Sequence, residues 1–133
     1  MKTIMIAYVA AGIVFLIVDA IWLTIMADAL YRPMLGDKLE PQYVLAPAVV
    51  FYFIYIAGII FFAVMPALQS GGLAKAALNG AMLGLVAYAT YDLTNQATLR
   101  DWPLVVTLAD IPWGMFVTAV GASAGFLAAN RFG

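Results

Sequence analysis

The 133-residue chain contains no cysteine and no histidine. Without cysteine there is no disulfide framework and no thiolate nucleophile. Without histidine the usual haem ligands, zinc sites and imidazole acid–base chemistry drop out. No other cofactor is indicated. Charge is scarce too: only 10% of residues are charged and 66% are hydrophobic, whereas a soluble domain carries about 25% charged residues. No basic run occurs and the formal net charge is -1, which argues against nucleic acid as a partner. Mean hydropathy is +1.03, which makes the lipid bilayer the expected solvent.

What the chain does have is length of apolar sequence. A membrane span needs about 20 apolar residues, and four segments qualify: Ile4 to Met26, Tyr43 to Met65, about Leu73 to Ala97, and about Pro103 to Ala129. The start, Met1-Lys2 followed by an apolar run, resembles a signal peptide, but the run is too long for one and Asp19 interrupts it. It is expected to be a retained first span. The expected fold is therefore all-α: a single domain over residues 1–133, a polytopic four-transmembrane-helix bundle with both termini on the same side.

The first connection, Ala27 to Gln42, carries Asp28, Arg32, Asp37, Lys38 and Glu40, with Pro33 and Pro41 as breakers. The second, Pro66 to Gly72, is short. The third, Thr98 to Trp102, is so short that the last two helices must be antiparallel neighbours. Asp101 ahead of Trp102-Pro103 reads as the N-terminal signal of the fourth helix. Lys2, Lys75 and Arg131 fall on one side of the membrane and Arg32, Lys38 and Arg100 on the other, so the positive-inside rule ties. Gly80-x-x-x-Gly84 and Gly121-x-x-x-Gly125 form smooth stripes on the third and fourth helices. Small residues four apart let helix backbones approach closely in lipid. Ordinary packing within the bundle is the plainer role for them; a homodimer or a larger membrane complex is the other.

Three acids interrupt the spans: Asp19, Asp92 and Asp110. A carboxylate at the bilayer centre costs about 2.5–3.5 kcal/mol on insertion scales, so something must pair with it, protonate it or use it. Helix geometry gives their depth. Asp19 lies seven residues before Met26, Asp92 five before Ala97, and Asp110 seven after Pro103. At about 1.5 Å per residue, all three fall within roughly 10 Å of the same membrane face, the one away from the termini. Each has a polar or aromatic residue at i+3 on its own face: Trp22, Asn95 and Trp113 respectively. Tyr91 and Thr94 flank Asp92. The expected polar cluster is Asp19, Trp22, Tyr91, Asp92, Thr94, Asn95, Asp110 and Trp113. A structural role competes with a working one. Asp92 would then be an interfacial last-turn residue, the tryptophans belt anchors, and Asp19 and Asp110 would be tied to Asn95, a tyrosine or Arg100.

The run Tyr91-Asp92-Leu93-Thr94-Asn95-Gln96-Ala97-Thr98, with Asp19-Ala20-Ile21-Trp22-Leu23 in the first helix and Asp110-Ile111-Pro112-Trp113-Gly114 in the fourth, resembles a family of small bacterial four-span membrane proteins catalogued as a domain of unknown function. The resemblance covers essentially the whole chain. Gln96 departs from it, because family members commonly have an apolar residue there. The resemblance implies a bacterial inner-membrane address and no established activity.

Three function classes follow. An acidic intramembrane site would bind or pass a proton, a hard cation or an amine-like ligand. Alternatively, a membrane-embedded enzyme would use a buried carboxylic acid on a lipid or isoprenoid. The third class is an accessory or structural subunit of a larger membrane complex. The first suits the residue types best, because the lack of histidine and cysteine narrows the chemistry to protons, hard cations and amines.

Overall fold

The computed structural model describes residues 1–38 and 44–133; Glu40, Pro41, Gln42 and Tyr43, assigned above to the first connection and to the start of the second span, lie outside them. Four helices are long and apolar enough to cross a membrane: α1 (Lys2–Leu35), α2 (Leu45–Gln69), α3 (Gly72–Thr98) and α4 (Leu104–Phe132). The described residues contain no strand. The polytopic all-helical fold is thus present, with both ends of the chain on one side of an even number of spans.

α1 does not stop at Met26. It passes through a π-helical turn at Ala27–Tyr31 and continues as α-helix over Arg32–Leu35, with Pro33 inside it. α2 does the same, with a π turn at Ile60–Val64 followed by Met65–Gln69 and Pro66. In each case the π turn ends two residues before the proline. A proline ring crowds the carbonyl four residues back and offers it no N–H. A turn widened by one residue opens that spot and lets the helix run on. Pro33 is therefore not the breaker that the sequence suggests.

The added length of α1 is held by burial. Leu30 and Leu35 pack with Trp102 and Val106 at the start of α4. Its charged residues lie on the outer side, where Arg32 Nε is 3.5 Å from Asp28 Oδ1 one turn away. The helix ends at Gly36, whose φ of 50° an L side chain rarely adopts.

Between α3 and α4 the chain turns at Asp101, which holds a φ of 57°. Pro103 occupies the N-cap position of α4 and no side chain caps it. Asp101 thus marks the start of the fourth helix by making the turn, not by capping.

α4 is the middle of the bundle, packed against α3 on one side and α1 on the other. A Cβ built on Gly84 would lie 2.2 Å from the Gly114 carbonyl oxygen, and one on Gly80 would lie 2.9 Å from that of Thr118. On the α1 side, Gly125 faces Ala11 and the Ala7 carbonyl at 3.1 Å, and Gly121 faces Phe15 at 3.4 Å. Both glycine stripes are therefore used inside the bundle. α2 covers the cleft, and Phe15, Ile59, Val64 and Val117 meet at the apolar centre. Outward residues such as Ile17, Phe53, Phe61, Leu78, Leu108 and Phe116 are exposed, as expected of side chains that face lipid.

Lipid-immersed helices gain little from hydrophobic exclusion, so close packing carries their association. Gly84→Ala should lower stability by about 1–3 kcal/mol, the cost of overpacking a tight contact. Gly58→Ala, where a Cβ meets nothing within 4 Å, should cost nothing. Thermal unfolding of the two variants in mild detergent compares them directly. Equal melting temperatures would refute the close α3–α4 approach.

Candidate functional site

α1, α3 and α4 bring the three acids into one polar cluster, with relative exposures of 7% for Asp19, 0% for Asp92 and 8% for Asp110. Their surroundings differ. Asp19 is well provided with donors. Tyr52 on α2 donates its hydroxyl to Oδ2 at 2.8 Å, and Trp113 on α4 donates Nε1 to Oδ1 at 3.2 Å. The Trp113 ring lies flat on Trp22, with centroids 4.3 Å apart and planes 9° from parallel. Trp22 Nε1 donates to the Tyr31 hydroxyl at 2.9 Å, and Tyr31 donates to Asp110 Oδ1. One continuous network thus runs from Tyr52 through Asp19, the indole pair and Tyr31 to Asp110.

Asp92 stands apart. Neither of its oxygens has a hydrogen-bond partner among the described residues, and the same is true of Gln96 Oε1 one turn further on. Asp92 interacts with another carboxyl, that of Asp110. Asp110 in turn feels the charge of Asp19. Among the described residues no lysine or arginine forms an ion pair with any of the three acids; Arg100 is exposed. Of the partners expected for Asp19 and Asp110, a tyrosine is present on each, Tyr52 and Tyr31 respectively; Asn95 and Arg100 make no hydrogen bond to either among the described residues, and Trp113 is an additional donor to Asp19.

A second layer lies below. The Tyr55 and Thr118 hydroxyls share a hydrogen bond of 2.8 Å. The Tyr88 ring meets Tyr55 edge-on at 6.5 Å and lies on Gly114, where a Cβ would come 2.2 Å from it. Only glycine at 114 admits that ring. Trp102 closes the far end, donating Nε1 to Thr107 Oγ1 at 3.1 Å.

Of the residues singled out from the sequence, Asp19, Trp22, Asp92, Asp110 and Trp113 meet in this cluster. Thr94 does not: it is exposed and donates its hydroxyl back to the Thr90 carbonyl of its own helix. Tyr91 is 57% exposed and its ring rests edge-on against Trp102. Asn95 is half-buried beside Tyr91.

Sequence reasoning missed two donors. Tyr31 was hidden because its segment reads as a loop. Tyr52 was one aromatic among many in the second span. The signal for Tyr52 was its hydroxyl: with Tyr55 it offers the only described side-chain donors in the middle of an otherwise apolar helix.

The network makes Trp113 doubly informative. Trp113→Phe should remove one donor from Asp19 and break the indole stack. The expected cost is about 1–3 kcal/mol for the buried acceptor left short of a partner. The exciton couplet of two stacked indoles should vanish from the circular dichroism spectrum. An unchanged spectrum would mean that the rings are not stacked.

No curated protein and no solved structure matches the chain. A family described as a predicted membrane protein, DUF2177, matches residues 4–127. That match runs from the first turn of α1 to the last turns of α4 and so takes in all three acids, both indoles of the stack, and Tyr31 and Tyr52. The chain belongs to this family of predicted membrane proteins.

Proposed function

We propose that this multi-pass membrane protein binds and passes a proton at the Asp92–Asp110 pair, in the setting of a bacterial inner membrane. The observation that carries this reading is Asp92: fully buried, beside a second carboxyl, and without a donor among the described residues. Two unit charges about 4 Å apart repel by about 4 kcal/mol even at an effective dielectric constant of 20. An acceptor without a donor in a lipid-embedded bundle adds a further cost. One proton held between the two carboxyls answers both problems: it supplies the missing donor and removes one charge. The Tyr31 hydroxyl on Asp110 can both donate and accept, so it is the neighbouring group to which that proton can be handed on.

The hard-cation alternative has less support. Among the described residues no group of three acidic side chains is placed to hold a metal ion. A lipid- or isoprenoid-directed enzyme could use the same buried carboxyl, but the two indoles that could steady a developing positive charge each have one face covered by the other, at 4.3 Å. An accessory subunit or a homodimer would need a docking face other than the two glycine stripes, which pack inside this bundle.

The expected result in infrared difference spectra is a deuterium-sensitive carbonyl band of a protonated carboxylic acid that disappears in Asp92→Asn. Vesicles containing the protein should pass protons under an imposed potential faster than empty vesicles. Asp92→Asn and Asp110→Asn should return the rate to background. Wild-type flux in both variants would sink the proposal.

A further inference from the structure

Asp92 and Gln96 stand at i and i+4, which places them on one face of α3. Three of their oxygens, Asp92 Oδ1, Asp92 Oδ2 and Gln96 Oε1, are buried and have no donor among the described residues. Buried acceptors that the chain leaves unmatched are where a donor from outside belongs. The surroundings select the charge of that donor. Gln96 lies two residues from Thr98, the last residue of α3, where the unpaired carbonyls of a helix end favour a cation. Asp110 and Tyr31 face Asp92 from α4 and α1, Asp19 stands behind Asp110, and Tyr91 precedes Asp92 on its own helix. All of these groups are acidic or neutral.

We propose that the Asp92–Gln96 face receives a primary ammonium group, which enters as the proton held by Asp92 and Asp110 leaves. The group brings three N–H bonds to three unmatched oxygens. It remains an ammonium throughout, and one proton is released to water for each group bound, so the charge of the site does not change. A quaternary ammonium carries the same charge but no N–H, and the acceptors would stay unmatched. Gln96 stands one turn beyond Asp92 on that face. Its amide oxygen makes the third acceptor, so it is the specificity-determining side chain. With Gln96 about 3 Å of helix rise from the end of α3, both an aminophospholipid headgroup and a soluble amine are within reach. This inference rests on the proton reading of the same carboxyl pair.

The test uses the full chain in nanodiscs of phosphatidylcholine and phosphatidylglycerol, titrated with methylammonium in weakly buffered solution containing a pH indicator. Saturable binding with about one proton released per amine is expected. Gln96→Leu should weaken binding about tenfold, as for loss of one hydrogen bond to a charged group. Tetramethylammonium should release no proton. Adding phosphatidylethanolamine to the nanodiscs separates the sources: suppressed methylammonium binding assigns the site to the lipid headgroup, and unchanged binding assigns it to a soluble amine.

The inference is overturned if tetramethylammonium releases protons as well as methylammonium does, or if Gln96→Leu keeps wild-type affinity. A carboxylic acid band that is present but insensitive to methylammonium overturns the ammonium inference alone and leaves the proton pair standing. Absence of that band removes the proton pair and the exchange with it.

Discussion

Polar groups carried into a bilayer must find their partners within the protein, because lipid offers none, and here that requirement and the helix packing are met by the same residues. α4 touches α3 through glycine. Gly84 lies against the Gly114 backbone so closely that neither position has room for a Cβ. That approach sets the carboxyls of Asp92 and Asp110 side by side. On the other flank, Gly121 and Gly125 let α1 close onto α4. Trp22 and Trp113 then stack, and Trp113 reaches Asp19. Any change that spreads the helices would pull the polar partners apart as well.

The donors are aromatic, and this has consequences. Tyrosine and tryptophan bring one polar atom on a large apolar body, so they satisfy a carboxyl while filling the space between helices. A lysine or arginine would neutralise the acid and fix its charge by pairing. A hydroxyl or an indole N–H solvates the acid without cancelling it. Asp19 has two such donors, Asp110 has one from Tyr31, and Asp92 has none among the described residues. Under the proton reading, this gradation sets the Asp92–Asp110 pair apart from Asp19, whose two oxygens are both bonded. A bundle held by a polar pin would have its best-buried carboxyl, Asp92, fully bonded, and here that carboxyl is the one left open.

Much of this was legible in the sequence. The number of spans, the shared depth of the three acids and the i+3 indoles all follow from counting residues along regular helices. The counting brings the three acids to one level of the bundle because that level depends only on rise per residue. Azimuth was harder. Thr94 and Tyr91 are neighbours of Asp92 in sequence, but residues one or two positions apart along a helix point to different sides, and both lie outside the cluster. Tyr52 required knowing how α2 lies across α1 and α4, and periodicity within a uniformly apolar helix does not report that.

Tyr31 was hidden for a different reason, and it is the most instructive case. The stretch from Ala27 to Leu35 has two charged residues and a proline, which together suggest a loop. The charges pair with each other along the outer face, and the proline is absorbed by the π turn before it. That turn also sets the direction of Tyr31. One extra residue in a turn shifts everything beyond it by about 100° around the helix axis. A regular α-helix through the same residues would therefore carry a different side chain to Asp110. The helix defect that accommodates Pro33 is thus also what delivers the hydroxyl to the carboxyl pair. The second π turn, ahead of Pro66 in α2, falls among apolar residues and presents no such group. There the backbone device has a different polar consequence: the carbonyl of Phe62, four residues before Pro66, accepts from Asn79 Nδ2 at 3.2 Å.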